Sequence, residues 1–162
     1  MSGTGMNLKT RLGALAQLGR IMGLLGQHVA WPGYTSGLDQ AEYDQLDRLI
    51  RDAHRTNGWF TEENVRHAFA AWANALEPGA INAWLAQYPD LGTVPQPRTI
   101  GLVLAGNIPL VGLHDVLCVW LSGHRASIKL SSQDAVLLPA LVQVLDRLYP
   151  GTATQLTFRP DK

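Results

Sequence analysis

The sequence predicts an α/β fold, in which an N-terminal helical segment precedes the first βαβα units of a parallel sheet. Thr99–Ala105 is an uncharged run of β-branched and aliphatic residues, which is typical of a strand buried on both faces. Gly106–Pro109 predicts a turn, with Pro109 in the first turn of a helix that runs from Leu110 to Leu121. Ala126–Leu130 then predicts a second strand. Strand, helix and strand with short links form the βαβ pattern.

Length and composition limit the classes of function that the chain can serve. At 162 residues the chain is long enough for one ordinary hydrophobic core. Thirteen basic and 13 acidic residues give a formal net charge of +0, so no long-range field recruits nucleic acid or an anionic membrane. Only 16% of the residues are charged, against about 25% in typical soluble domains. Such a low fraction of charged residues indicates that some apolar surface meets a partner or another part of the protein.

The cysteine content and the apolar runs predict a cytoplasmic protein without a membrane span. Cys118 is the lone cysteine, which excludes an internal disulfide and fits a reducing compartment. No apolar run approaches the roughly 20 residues that a membrane-spanning helix needs. Gln17, Arg20 and Gln27 interrupt the apolar stretch from Leu12 to Val29, which therefore predicts a helix of the mature protein rather than a signal peptide.

Residues 1–90 predict a helical lead-in of four helices. Apolar residues repeat at spacings of four and three from Asn7 to about Val29, which indicates an amphipathic packing helix, with a dimerisation or membrane-surface helix as the alternative. Asp39 and Thr61 are N-cap residues for the next two helices, and Pro78 begins a short fourth one. Three tryptophans of this segment are predicted to be core residues rather than a binding platform: Trp59, Trp72 and Trp84.

A Pro-rich linker at 91–98 is predicted to join this segment to an α/β domain at 99–162. Within that domain Asp134–Tyr149 predicts a second helix, in which Pro139 marks a bend or a later start and Val136 points inward. Gln155–Phe158 predicts a third strand.

The stretch AGNIPLVGLHDVLCVWLSGHRASIKLSS, residues 105–132, resembles the acyl-CoA reductases of the LuxC type, a branch of the aldehyde dehydrogenase superfamily. Better-known members of the superfamily carry Trp-Asn-Phe-Pro after one strand and Lys-Pro-Ser-Glu after the next. Here those positions hold Gly106-Asn107-Ile108-Pro109 and Lys129-Leu130-Ser131-Ser132. Asn57–Leu76 also resembles the helical lead-in of this branch. The resemblance implies that residues 99–162 form a partial dinucleotide-binding α/β domain, the incomplete cofactor-binding domain of an aldehyde-dehydrogenase-like protein.

The resemblance implies a catalytic role for Asn107. The matching asparagine of the superfamily offers its side-chain amide to the oxyanion that forms when a cysteine thiolate attacks the carbonyl carbon. A neutral donor fixed at the carboxyl end of a strand can stabilise such charge without a proton transfer. The alternative is an asparagine that only orders the turn.

The same resemblance implies a cofactor site formed by Ala105, Gly106, Asn107, Lys129 and the serines that follow it. Lys129 matches the lysine that contacts the adenosine ribose of the cofactor. Ser132 stands where many NAD-dependent relatives have a glutamate that repels a 2′-phosphate, so NADPH is the expected cofactor and NAD(H) the open alternative. A simpler reading is that Ser131 and Ser132 only cap the next helix.

For the whole enzyme the resemblance implies reduction of a fatty acyl thioester, carried by CoA or an acyl-carrier protein, to an aldehyde. The nucleophilic cysteine would lie beyond residue 162, so this chain is expected to be an inactive N-terminal portion that pairs with a missing C-terminal half or with a second copy. The alternative is a non-catalytic interaction module. No metal is expected, because His114 and Cys118 are too few ligands, and Cys118 has the setting of an inert thiol.

Overall fold

A computed structural model describes residues 7–91 and 94–160. In this part of the chain six α-helices accompany one three-stranded parallel sheet of order β1-β2-β3, which confirms the α/β class. The helices are α1 (Leu8–Gly26), α2 (Gln40–Asp52), α3 (Glu62–Ala75), α4 (Pro78–Leu85), α5 (Leu113–Leu121) and α6 (Leu137–Leu148). The strands are β1 (Thr99–Val103), β2 (Arg125–Lys129) and β3 (Leu156–Phe158).

The starts of α2, α3 and α4 follow from local chemistry. The Asp39 carboxylate accepts a hydrogen bond from the Glu42 amide, and the Glu42 carboxylate accepts one from the Asp39 amide, so two N–H groups without helical partners are satisfied. Thr61 accepts from the Asn64 amide at the start of α3. Pro78 is the first residue of α4. All three predicted helix starts are therefore confirmed.

A row of glycines lets α1 pack closely against α3. A Cβ atom added at Gly19 would lie 2.9 Å from the Cβ of Leu76, and one added at Gly26 would lie 2.9 Å from the backbone nitrogen of Ala70. These glycines weaken an isolated helix, but here they remove the side chains that would hold the two helices apart.

A buried arginine fastens the same helices together. Arg66 of α3 is 5% exposed, and its guanidinium donates to the carbonyl of Leu25 at the end of α1. It also pairs with Asp47 of α2 at 2.7 Å and with Glu62 at 2.6 Å. The charge is thus both buried and paired, the condition under which an ion pair inside a protein is tolerated.

The sheet is covered on one face only. β1 and β2 pair with Gly101 opposite Ser127 and Val103 opposite Lys129, and the side chains on this face are exposed or half-buried. Val103 is 83% exposed, while Ala126 and Ile128 on the opposite face are fully buried. The predicted burial of the first strand on both faces is therefore wrong, because the helices of the described residues pack against one side of the sheet.

A longer turn than predicted precedes α5, and α6 shows a later start, one of the two predicted effects of Pro139. α5 starts at Leu113 rather than Leu110, which adopts a left-handed backbone with φ 61°. Pro109 therefore lies in the turn and not in the helix. α6 starts at Leu137, and Val136, predicted to point inward, is 41% exposed. The predicted stop at Gly123 is confirmed by its φ of 92°.

One hydrophobic core contains side chains from both the helical lead-in and the α/β segment. α1 packs against α6, and Gln155 accepts hydrogen bonds from Arg11 and from the Trp120 indole. The division at the linker stays a prediction, since Gly92 and Thr93 of that linker lie outside the described residues. None of the helices in the described ranges combines the length and hydrophobicity of a membrane span.

The close approach of α1 and α3 predicts opposite effects for two glycine substitutions on one helix. Gly19→Ala should lower the free energy of unfolding by about 1–3 kcal/mol, because its Cβ overlaps Leu76. Gly13→Ala should raise it by about 0.5–1 kcal/mol, because its Cβ would lie 3.7 Å from the Tyr149 hydroxyl, at ordinary contact distance. Urea unfolding of both variants measures the difference, and equal effects would contradict the packing.

Candidate functional site

The carboxyl ends of β1 and β2 lie side by side. Val103 is the register partner of Lys129, and the Leu104 amide donates to the Lys129 carbonyl at 3.0 Å. The turn that carries Asn107 and the turn that follows Lys129 therefore leave the sheet at the same edge. In α/β proteins this edge is where ligands bind.

The two turns are in direct contact at Gly106. A Cβ atom at this buried position would lie 2.5 Å from the Ser131 hydroxyl oxygen and 3.1 Å from the Asp134 amide nitrogen. Since the backbone of Gly106 does not adopt a positive φ, the lack of a side chain is needed here for space and not for conformation. Gly106 thus contributes to the site by bringing the two turns together.

Asp134 fixes the strained residue of the first turn. Its carboxylate Oδ2 accepts from the Leu110 amide at 2.9 Å, while Oδ1 is buried and has no hydrogen-bond partner among the described residues. Burial raises the pKa of Asp134 from 3.8 to about 6, against the opposing effect of the Leu110 hydrogen bond. A buried, half-satisfied carboxylate is costly, and here it holds a leucine in a left-handed conformation.

Asn57 joins a third loop to the two turns. Asn57 is only 8% exposed. Its side-chain Nδ2 donates to the Gly106 carbonyl at 3.3 Å and to the Gln133 carbonyl at 3.4 Å. Its Oδ1 accepts from the Trp59 amide at 3.0 Å. The sequence patterns did not identify Asn57 or Asp134 as site residues, because long-range partners leave no local pattern.

An open cleft of about 460 Å³ lies between α3 and the Asn107 turn. Trp59 at its rim is 81% exposed and Ile108 is 56% exposed, so the prediction that Trp59 is a core residue is wrong. Trp72 and Trp84 are partly buried against the core. Apolar side chains form much of the cleft wall, and its polar side chains are those of Asn64, His67 and Asn107.

Lys129 lies on the uncovered face of the sheet. It is exposed and, like Arg125 on the same strand, forms no ion pair within residues 7–91 and 94–160. Arg159 follows β3 and donates from Nε to the Ser127 hydroxyl at 2.7 Å. No acidic residue occurs among the strand residues of this face. Cations and hydroxyls without carboxylates suit a phosphate or sugar group.

The other predicted cofactor residues lie in the two turns. Ser131 is half-buried and its hydroxyl accepts from the Gln133 amide at 3.2 Å, whereas Ala105 and Ser132 are exposed. Asn107 lines the cleft beside α3, and Lys129 is not among the residues that line that cleft. The structure therefore brings both turns to one edge but gives Asn107 and Lys129 different surroundings.

Cys118 is half-buried on α5, with its sulfur 3.7 Å from Nδ1 of His114. Burial, and to a lesser degree Asp115, raise the pKa of the Cys118 thiol, so the reactive thiolate is disfavoured. Among the described residues no cluster of three or more histidine, cysteine, aspartate or glutamate side chains could hold a metal ion.

Comparison of the chain with protein-family models, with curated proteins and with solved structures found no match in any of the three. The resemblance of residues 105–132 to the LuxC branch therefore stays a hypothesis.

Burial of Asp134 predicts a pH-dependent difference between the wild type and Asp134→Asn. The folded-state pKa of about 6 exceeds the ordinary 3.8, so the proton-bound form favours folding, and this stability is lost as the pH rises from about 4 through 6. Asparagine stays neutral and keeps an oxygen acceptor for Leu110. In urea unfolding, the free energy of unfolding of the variant should rise relative to that of the wild type over this range, and the difference should reach about 1–3 kcal/mol at pH 7. A gap that does not change between pH 4 and 7 would contradict this.

Proposed function

We propose that this chain supplies the oxyanion-binding and cofactor-binding residues of a LuxC-like acyl-CoA reductase, which reduces a fatty acyl thioester to an aldehyde with NADPH. The observation that carries the proposal is the position of Asn107. It lies on the wall of an apolar cleft, at the sheet edge where Lys129 also ends its strand. An amide donor beside an apolar cleft fits a substrate that has one polar carbonyl on a long hydrocarbon chain.

In this proposal the cleft holds the acyl chain and Asn107 orients the thioester carbonyl. Exposed Trp59 and Ile108 offer apolar surface that an alkyl chain would cover. The Asn107 amide would donate a hydrogen bond to the carbonyl oxygen, and this bond strengthens as negative charge develops there. Because the turn is fixed by Asp134 and Gly106, the donor needs little reorganisation to act.

The residues after β2 fit the phosphate and ribose of NADPH. Lys129 has no competing carboxylate partner among the described residues, and Ser131 and Ser132 supply hydroxyl groups two and three residues later in the chain. In the proposed site Lys129 and Ser132 bind the ribose and its 2′-phosphate, while the backbone of Ala105 and Gly106 borders the cofactor. When bound, the cofactor supplies the hydride.

The proposal takes the nucleophilic cysteine from polypeptide outside residues 1–162. Cys118 is a poor candidate, since the pKa of its thiol is raised and it lies in the middle of α5. With a thiolate supplied from elsewhere, the acyl group would pass to the cysteine as a thioester before reduction.

A second candidate function is a non-catalytic interaction module. The uncovered sheet face favours it, because Val103 is 83% exposed and parallel sheets are normally buried on both faces. The encoding DNA distinguishes the two functions. An in-frame continuation past Lys162 into a cysteine-containing segment supports the reductase, and a stop codon at this position in several isolates supports the module.

Cofactor preference is expected to depend on Ser132. The chain should bind adenosine 2′,5′-bisphosphate more tightly than ADP, and Ser132→Glu should reverse that order because a carboxylate repels the 2′-phosphate. Lys129→Ala should weaken binding about tenfold through the loss of a charge-assisted hydrogen bond. Titration calorimetry measures each affinity. Arg125→Ala, four residues earlier on the same strand face, is the matched control, and an equal loss there would indicate nonspecific attraction.

Binding of an acyl chain is expected to depend on the cleft. Tryptophan fluorescence should change as the chain is titrated with the decanoyl thioester of N-acetylcysteamine, and Trp59→Phe should reduce the change. Ile108→Ser should weaken binding about three- to tenfold, because apolar contact area is lost. Val29→Ser is the control, since Val29 is 39% exposed and lies outside the cleft. Saturable binding unaffected by Ile108→Ser would place the acyl site elsewhere.

A further inference from the structure

We propose that Asn57 is a positioning residue that couples residues 131–134, the cofactor turn, to the cleft between α3 and the Asn107 turn, the acyl cleft. Its one buried carboxamide joins three loops, residues 57–60, 106–110 and 131–134. The roles given to these loops rest on the proposed function, whereas the coupling itself rests on the contacts of Asn57 alone.

Each polar atom of the Asn57 side chain is engaged. The two hydrogens of Nδ2 have separate acceptors, the carbonyl of Gly106 at 3.3 Å and that of Gln133 at 3.4 Å. Oδ1 accepts from the Trp59 amide at 3.0 Å. A carboxamide that uses both its donors and its acceptor on separate loops fixes their mutual positions, since moving one loop breaks a bond in a buried place where water does not readily replace it.

The three loops carry the three parts of the proposed site. Trp59 stands at the rim of the cleft, Asn107 follows Gly106 directly, and Ser132 precedes Gln133. A shift of the cofactor turn at Gln133 therefore displaces the Asn57 side chain, which is hydrogen-bonded to it. The displaced side chain in turn moves the backbone of Trp59 and of Gly106. Binding at the serines would in this way alter the cleft and the orientation of Asn107.

Asn57 is the hydrogen-bonding link between the Trp59 loop and the two turns. Among the described residues no other hydrogen bond joins residues 57–60 to either turn. The two turns have a further link of their own, the bond from the Leu110 amide to Asp134 at 2.9 Å. Loss of the Asn57 side chain should therefore release the Trp59 loop and leave the Leu110–Asp134 bond in place.

The test compares ¹⁵N–¹H spectra of the wild type and Asn57→Ala, without ligand and with adenosine 2′,5′-bisphosphate. In the wild type the ligand should shift the Ser132 amide, the Asn107 side-chain amide and the Trp59 indole N–H together. In Asn57→Ala the Ser132 amide should still respond, while the Trp59 response falls by at least about fivefold. Asn64→Ala is the matched control: it removes a 2.9 Å hydrogen bond from α3 to the Trp59 carbonyl but no hydrogen bond to either turn.

Two results would overturn the coupling: a Trp59 response that persists in Asn57→Ala, or a ligand-free spectrum of that variant that changes only within residues 57–60. If the wild type does not bind the bisphosphate, the cofactor assignment fails, and the ligand-free spectra alone decide the role of Asn57. If Asn57→Ala does not fold, hydrogen exchange in the wild type tests the role of Asn57. Its Asn57 side-chain amide hydrogens should exchange slowly with solvent, and fast exchange rejects the role.

Discussion

Parallel pairing of β1 with β2 is the constraint on which the candidate site depends. Because the strands run in the same direction with Val103 opposite Lys129, the chain must leave both strands at one edge of the sheet. The connection through α5 then returns the chain to the opposite edge before β2 begins. Two turns that are separate in sequence therefore meet, and the contact of Gly106 with Ser131 follows from this arrangement.

Local sequence patterns are sufficient to predict most helices and strands, but they do not predict the long-range contacts that form the site. Asp39, Thr61 and Pro78 mark helix starts through chemistry confined to a few neighbouring residues, so those starts could be read directly. The start of α5 could not, because Leu110 is held out of the helix by Asp134, which is 24 residues later in the chain. Propensity favours a helix at Leu110, but a buried tertiary hydrogen bond overrides it.

The errors at β1 and at Trp59 have one origin. Composition reports how apolar a segment is, and it does not report whether the fold supplies a second layer to cover it. Val103 is in a strand rich in apolar residues, yet no helix of the described residues covers its face, and Trp59 stands at the rim of a cleft. Exposed apolar side chains at the sheet and at the cleft are therefore the places where a partner surface or a ligand would bury area.

The site also concentrates features that stability alone would not select. Leu110 has a positive φ, Asp134 has a buried oxygen that finds no hydrogen-bond partner within residues 7–91 and 94–160, and a Cβ at Gly106 would clash with the neighbouring turn. The positive φ and the unpartnered oxygen cost free energy, and all three features hold the Asn107 turn in one conformation against the turn after β2. A loop that only connected β1 to α5 would not need such restraints, since a relaxed turn would be more stable. The strain in this turn is thus the physical reason for the proposal that Asn107 is a functional group.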